Sequence, residues 1–158
     1  MTRSSSRSVT GAHLWLVLWR ATRALEARAL RSIAETGLGA SDFGVLEMLL
    51  HKGPQPVNVI GRKVLLTPGS ITTAVDRLAA RGLVERRDDP ADRRVRRVHL
   101  TDQGRRLIGP AWTRHESDLE ESVSVLTHAE RATLVALLRK LGTSLDEGAG
   151  GSGAKEAS

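Results

Sequence analysis

The chain has 158 residues, of which 40% are hydrophobic and 27% are charged, a size and balance typical of one soluble domain with its own core. It contains no cysteine, so disulfides, cysteine zinc ligands and thiol chemistry are excluded. The 24 Lys/Arg outnumber the 18 Asp/Glu, and this net charge of +6 favours a polyanionic partner, nucleic acid first.

The N-terminal segment imitates a short signal peptide, because two arginines precede the apolar run 12–19. His13 interrupts that run, and apolar residues continue at helical spacing to Ala29, which predicts an amphipathic helix instead. No apolar run approaches the roughly 18 residues that a membrane span needs. We therefore expect a cytoplasmic protein.

The first half of the chain is predicted to be helical after a disordered Ser/Arg-rich tail at 1–10. Ser41 and Thr67 stand where helix N-caps are expected, and Pro68 fits the first position of the helix that follows. The predicted helices of this half cover residues 11–35, 42–51, 57–64 and 68–81.

The second half begins with two short β-prone segments around the turn-forming run 88–92, a pattern that predicts a β-hairpin. Thr101 caps the next predicted helix, which Gly109-Pro110 bends or interrupts, and residues 127–130 fit a capping box. The predicted elements are strands at 83–87 and 95–100, helices at 102–125 and 130–145, and a disordered tail at 146–158.

The helix predicted at 68–81 has one apolar face and one polar face. Short hydroxyl side chains on the polar face permit close approach to base edges and phosphates, and the helix dipole favours anions near its start. Arg77 and Arg81 lie further along, at a distance suited to a phosphate backbone. The apolar face comprises Ile71, Ala74, Val75 and Leu78, and the polar face comprises Ser70, Thr72, Thr73, Asp76 and Arg77.

The predicted hairpin concentrates positive charge, since residues 61–97 carry ten Lys/Arg against five Asp/Glu. A solvated charged surface is the simpler interpretation. Directly after a helix-turn-helix pattern, however, guanidinium groups that suit phosphates and a narrow minor groove favour a DNA-binding wing. The arginines of this cluster are Arg86, Arg87, Arg93, Arg94, Arg96 and Arg97.

Three segments, LTPGSITTAVDRLAARGLVERR, DPADRRVRRVHLTDQG and LTHAERATLVALLRKL, resemble the MarR family of winged-helix transcription regulators. The family's hairpin motif D-x-R-x-x-x-V-x-L-T is present from Asp92 to Thr101, and the resemblance covers residues 11–145. It implies a mainly α fold with a small β-hairpin wing. The implied winged helix-turn-helix covers 36–100, and the implied helical dimerisation domain covers 11–35 and 101–145.

The resemblance also implies a sequence-specific, ligand-responsive repressor that binds a pseudo-palindromic operator as a homodimer, with half-sites roughly 34–36 Å apart. The helix at 68–81 would enter the major groove, and Asp92 would hold Arg94 in the minor groove. An architectural DNA-binding protein that responds to no effector is the alternative. The expected DNA-binding residues are Thr67, Ser70, Thr72, Thr73, Arg77, Arg93, Arg94 and Arg96.

The few aromatic residues permit two interpretations. They form the core of a dimer, or they line a pocket for a small aromatic or phenolic effector, as in many MarR-like proteins. The segment IGRKVLLTPGSITTAVDRL also resembles a subset of MarR-like repressors linked to aromatic or quinone stress. The candidate effector pocket comprises Trp15, Trp19, Arg20, Phe43, Trp112 and His115.

The sequence contains few signs of a catalytic or metal-binding site. The run 88–92 matches the DDxxD magnesium motif of prenyl-transferring enzymes, but it lies on a turn followed by arginines. No pair among the five histidines has the i, i+4 spacing of metal ligands. No nucleophile, base and orienting group occur as a recognisable set. We therefore predict neither an enzyme nor a bound metal or cofactor.

Overall fold

The computed structural model describes residues 8–90, 92 and 95–150. Within them it confirms the predicted fold class, a mainly helical chain with one small antiparallel sheet. The elements are α1 (Gly11–Ala34), α2 (Ala40–Lys52), β1 (Gln55–Pro56), α3 (Val57–Lys63), α4 (Pro68–Ala80), β2 (Val84–Asp88), β3 (Arg96–Leu100), α5 (Asp102–Ser122) and α6 (His128–Gly150).

Two helix starts follow from local side-chain caps, as predicted. Thr67 accepts a hydrogen bond from the backbone N–H of Ser70 (3.2 Å), and Pro68 opens α4. Before α6, Thr127 Oγ1 accepts from the N–H of Glu130 (3.3 Å), and Glu130 Oε2 accepts from the N–H of Thr127 (2.8 Å). This reciprocal capping box lowers the pKa of Glu130.

The predicted start of α2 is wrong by two residues. The helix begins at Ala40, and its N-cap is Gly39 rather than Ser41. Gly39 has extended backbone angles, and its carbonyl accepts the N–H of Phe43 at 2.9 Å. Because that bond already closes the first turn, Ser41 lies inside the helix and its hydroxyl caps nothing.

The last two helices also differ from the prediction. α5 continues through Pro110 and ends at Ser122, so the Gly109-Pro110 pair does not interrupt it. α6 extends to Gly150, five residues into the segment predicted to be disordered. Extending an existing helix gains one hydrogen bond per residue without a new nucleation cost, which a composition argument misses. The rest of that segment, 151–158, and residues 1–7 lie outside the described residues.

The sheet has the strand order β1-β3-β2, with all pairs antiparallel. The predicted hairpin is confirmed, with Val84 opposite Leu100 and Asp88 opposite Arg96. β1 was not predicted, because a two-residue segment that includes a proline lacks the alternating apolar pattern of a strand. Proline is compatible with an edge strand, and Pro56 pairs with Arg97 there.

The chain divides into two compact units, one up to Glu120 and one from Glu121 that contains α6. The core of the first unit joins α2, α3 and α4 to the sheet and α5. The predicted apolar face of α4 is buried in it, and a Cβ at Gly61 of α3 would lie 3.0 Å from Ile71 Cγ2. The two helices of the helix-turn-helix therefore pack closely. No helix of the described residues is long and apolar enough to cross a membrane.

Candidate nucleic-acid interface

The polar face of α4 is exposed, as predicted, and carries hydroxyl groups in defined orientations. Thr72 and Thr73 donate to the carbonyls of Pro68 and Gly69, each at 3.0 Å. Since each hydroxyl hydrogen is already used within the helix, only the oxygen lone pairs remain for a partner. This face therefore presents threonine oxygens as acceptors, held in one rotamer.

An open depression of about 510 Å³ lies at the start of α4. The positive end of the helix dipole favours an anion such as a phosphate at this position, although Pro68 has no N–H and the N–H of Ser70 is already bonded to Thr67. The depression is lined by Ser41, Thr67, Gly69, Ser70, Thr73 and Arg77.

Arg77 is not a free cation on this surface. Its Nε donates to Asp42 Oδ2 at 2.8 Å and its Nη2 to Asp42 Oδ1 at 2.5 Å. The Asp42 side chain is only 3% exposed, whereas that of Arg77 is about half exposed. The hydrogen bonds and charge of Asp42 raise the pKa of Arg77. Arg77 thus joins α4 to α2 by a two-pronged bond that sequence spacing did not indicate.

The described arginines of the hairpin are all paired with carboxylates. Arg86 binds Asp76 of α4 (2.7 Å) and Arg96 binds Asp88 (3.2 Å). The other two pairs are Arg87 with Glu85, and Arg97 with the largely buried Asp89. Asp88 and Asp89 of the DDxxD run are therefore bound by arginines. Among the described residues, no group of three or more His, Asp or Glu is placed to hold a metal ion.

The tip of the hairpin is described in part. The backbone N–H of Asp89 donates to Val95, and that of Val95 to Asp92, each at 2.9 Å. Arg93 and Arg94 lie outside the described residues, so the role of Asp92 in holding Arg94 stays a prediction.

The candidate effector pocket divides into two groups. Phe43, Trp112 and His115 form a cluster, with ring centroids 5.0 to 6.4 Å apart. Trp15 and Trp19 stack on each other at 6.2 Å on the exposed surface of α1, beside the exposed Arg20. Within the compact unit that holds α1 to α5, the two groups therefore do not share one pocket.

Two further residues join the cluster and were not predicted. Ser32 Oγ of α1 and His115 Nδ1 of α5 are 2.6 Å apart in a buried hydrogen bond. His51 of α2 packs edge-on against Trp112 at 4.8 Å. Sequence offered no signal for either contact, because the partners are 83 and 61 positions apart.

Burial of His115 predicts acid sensitivity. Burial lowers the pKa of His115, and the charges of Asp118 and Glu47 oppose that shift. Because the folded-state pKa lies below the unfolded one, stability is complete above the unfolded pKa and falls as pH drops through the folded pKa. We expect the free energy of unfolding to decrease as the pH falls below 6.5, the ordinary pKa of histidine, and a His115→Asn variant to lose part of this slope. Urea titrations at each pH measure it, and equal slopes would contradict it.

A helix-turn-helix with an exposed hydroxyl face, followed by an arginine-rich hairpin, defines a winged-helix DNA-binding protein. The MarR family model matches residues 36–95. The regulator MhqR of Bacillus subtilis is 38% identical over 129 residues, which cover 82% of this chain and 89% of MhqR. The chain belongs to the MarR family and is a transcription regulator, as predicted, and not an enzyme.

Solved structures agree with this assignment. BpsR of Bordetella bronchiseptica, whose DNA binding is regulated by 6-hydroxynicotinic acid, is 30% identical with a TM-score of 0.70 over 82% of this chain and 98% of BpsR. A mutant of MarR from E. coli, solved with operator DNA, is 26% identical with a TM-score of 0.71 over 81% of this chain and 92% of that one.

Proposed function

We propose that this regulator is a sequence-specific, ligand-responsive repressor that binds a pseudo-palindromic operator as a homodimer. The observation behind this proposal is the exposed hydroxyl face of α4, which lies beside a depression suited to an anion. Thr67, Ser70, Thr72 and Thr73 would contact the major groove, with Arg77 at its edge. From the sequence motif, Arg93, Arg94 and Arg96 would bind the minor groove or its phosphates, with Asp92 orienting Arg94.

Exposed apolar side chains support the homodimer. Contiguous apolar surface is costly in water and marks protein contacts, and α1 and α6 each carry several such residues. We assign 11–35 and 101–145 to dimerisation and 36–100 to DNA binding. These ranges differ in their proposed roles and do not match the compact units, because α1 belongs to the same unit as the winged helix. The exposed residues are Leu14, Trp15, Val17, Trp19, Leu25 and Leu30 of α1, and Leu134, Val135, Leu137, Leu138, Leu141 and Leu145 of α6.

Aromatic side chains support a small aromatic or phenolic effector. One group is the exposed Trp15/Trp19 stack with Arg20, and the other surrounds Phe43. BpsR, with its 6-hydroxynicotinic acid, is a family precedent for such a ligand. An effector weakens DNA binding only by preferring a dimer geometry that the operator does not. Equal effector affinity with and without operator would contradict this mechanism.

Selection from a randomised duplex pool at two salt concentrations tests sequence reading. We expect enrichment of a pseudo-palindrome with a two-fold repeat. Salt-sensitive binding without an enriched sequence would favour the architectural alternative instead. Absence of binding at low salt would refute the DNA assignment.

Thr73→Val is expected to change base preference at one position of each half-site by about 1–3 kcal/mol, because it removes one fixed acceptor from α4. Repeating the selection with the variant measures this change. Thr133→Val is the matched control, since Thr133 donates to the carbonyl of Ala129 (2.9 Å) in the same way but lies on α6. A uniform loss of affinity on all sequences would make Thr73 a phosphate contact.

A further inference from the structure

Leu65, in the turn between α3 and α4, has a backbone conformation that is unfavourable in free energy. Its φ is +56°, and it is the only residue other than glycine with a positive φ in the described part of the chain. Its side chain is 91% exposed. A Cβ disfavours this backbone region, which glycine and asparagine tolerate, and an exposed leucine gains nothing from burial.

The residues on either side explain the backbone conformation but not the leucine. The N–H of Val64 donates to Ile60 and that of Leu66 donates to Gly61, each at 2.9 Å, and both flanking side chains pack on the core. The turn therefore needs a left-handed residue between them. An apolar side chain at that position does not stabilise the fold, since Leu65 is not part of the core.

The surroundings of Leu65 fit a nucleic-acid surface. Exposed cations at the end of α3, Arg62 and Lys63, precede it, and the exposed Thr67 cap of α4 follows it. An apolar group between cations and hydroxyls matches a duplex edge, where phosphates flank deoxyribose carbons and thymine methyls. Strained residues that persist at exposed positions are often kept for a binding function.

We propose that Leu65 makes an apolar contact with operator DNA, and that its strained backbone is retained for this contact. The proposal rests on the proposed function of operator binding. The partner atoms belong to a thymine methyl or to deoxyribose, which share the same apolar chemistry.

Three variants separate strain from contact. Leu65→Gly and Leu65→Asn relieve the strain, and we expect the midpoint of thermal unfolding to rise by roughly 2–5 °C. Leu65→Ala keeps the Cβ, so its midpoint stays near that of the wild type. All three remove the apolar contact, and we expect each to weaken binding to the selected operator duplex about five- to ten-fold.

The salt dependence of binding distinguishes this contact from an ionic one. The Leu65 variants should keep the wild-type slope of log affinity against log salt, whereas Arg62→Ala reduces it if Arg62 contacts a phosphate. Deoxyuridine in place of thymidine identifies the partner. If deoxyuridine weakens DNA binding by the wild type but not by Leu65→Gly, the partner is a thymine methyl. If deoxyuridine changes the binding of neither protein, the partner is deoxyribose.

The two proposals fail separately. A wild-type protein that binds no duplex refutes the proposed function. A wild type that binds its operator while all three Leu65 variants bind equally well refutes only the Leu65 contact. A changed oligomeric state in these variants would assign Leu65 to a protein interface and also overturn the contact. If Leu65→Gly is no more stable than the wild type, the backbone of Leu65 is not strained.

Discussion

Replacement of Gly104 by alanine is expected to cost about 3 kcal/mol or more of folding free energy, at or beyond the usual limit for overpacking. A Cβ at Gly104 would overlap the carbonyl oxygen of Leu83 and lie 3.0 Å from its carbonyl carbon and 3.2 Å from Leu100 Cδ2. The obstacle is mainly backbone, which cannot change rotamer. Urea unfolding followed by circular dichroism measures the loss.

Local hydrogen bonds explain why the start of α5 cannot simply move away from Gly82 and Leu83, the residues that precede β2. Thr101 donates through its hydroxyl to the carbonyl of Gly82 (2.7 Å) and through its N–H to that of Leu83 (3.2 Å). The same hydroxyl accepts the N–H of Gly104 at 3.0 Å. Shifting the helix enough to admit a methyl group would therefore break the cap of α5.

Gly142→Ala is the matched control for Gly104→Ala. Gly142 lies inside α6, and a Cβ there meets nothing within 4 Å. Alanine is the better helix former, so this variant should be more stable by roughly 0.5–1 kcal/mol. If Gly104→Ala unfolds at the same urea concentration as the wild type, the close packing of Gly104 on Leu83 and Leu100 is wrong.

The second large effect is expected from breaking the bond between Arg77 and Asp42. In Arg77→Met the buried Asp42 carboxylate loses its partner. Leaving a buried polar group unpaired lowers the free energy of unfolding by about 1–3 kcal/mol, and by more when the group is charged. Removing both partners, as in Asp42→Ala with Arg77→Met, should cost less than the sum of the single changes. The double-mutant cycle measures this coupling by urea unfolding, and strict additivity would contradict it.

The same variants decide whether Arg77 positions α4 or contacts DNA. Asp42 is buried and cannot touch a phosphate. If the bond positions α4, Asp42→Ala weakens operator binding without changing its salt slope. If Arg77 also binds a phosphate, Arg77→Met lowers that slope by about one. Operator affinity unchanged in Asp42→Ala would show that the bond serves stability alone.

Local signals were enough to predict most of the winged helix. The i, i+3, i+4 pattern from Ile71 to Leu78 defined the buried face of α4, and Thr67-Pro68 defined its start. The turn residues at 88–92 separated two β-prone segments that pair as a hairpin. These features depend on neighbours within a few positions, so they can be read without knowledge of the fold.

Sequence alone therefore determined the fold class, the polar face of α4 and the family resemblance, because each depends on short-range pattern. Only the tertiary structure decided that Asp42 binds Arg77, that Ser32 contacts His115, and that a Cβ at Gly104 would collide with Leu83. It also separated Trp15 and Trp19 from the cluster around Phe43. Such contacts join residues that are distant in sequence, and their geometry depends on how the helices pack rather than on any local preference.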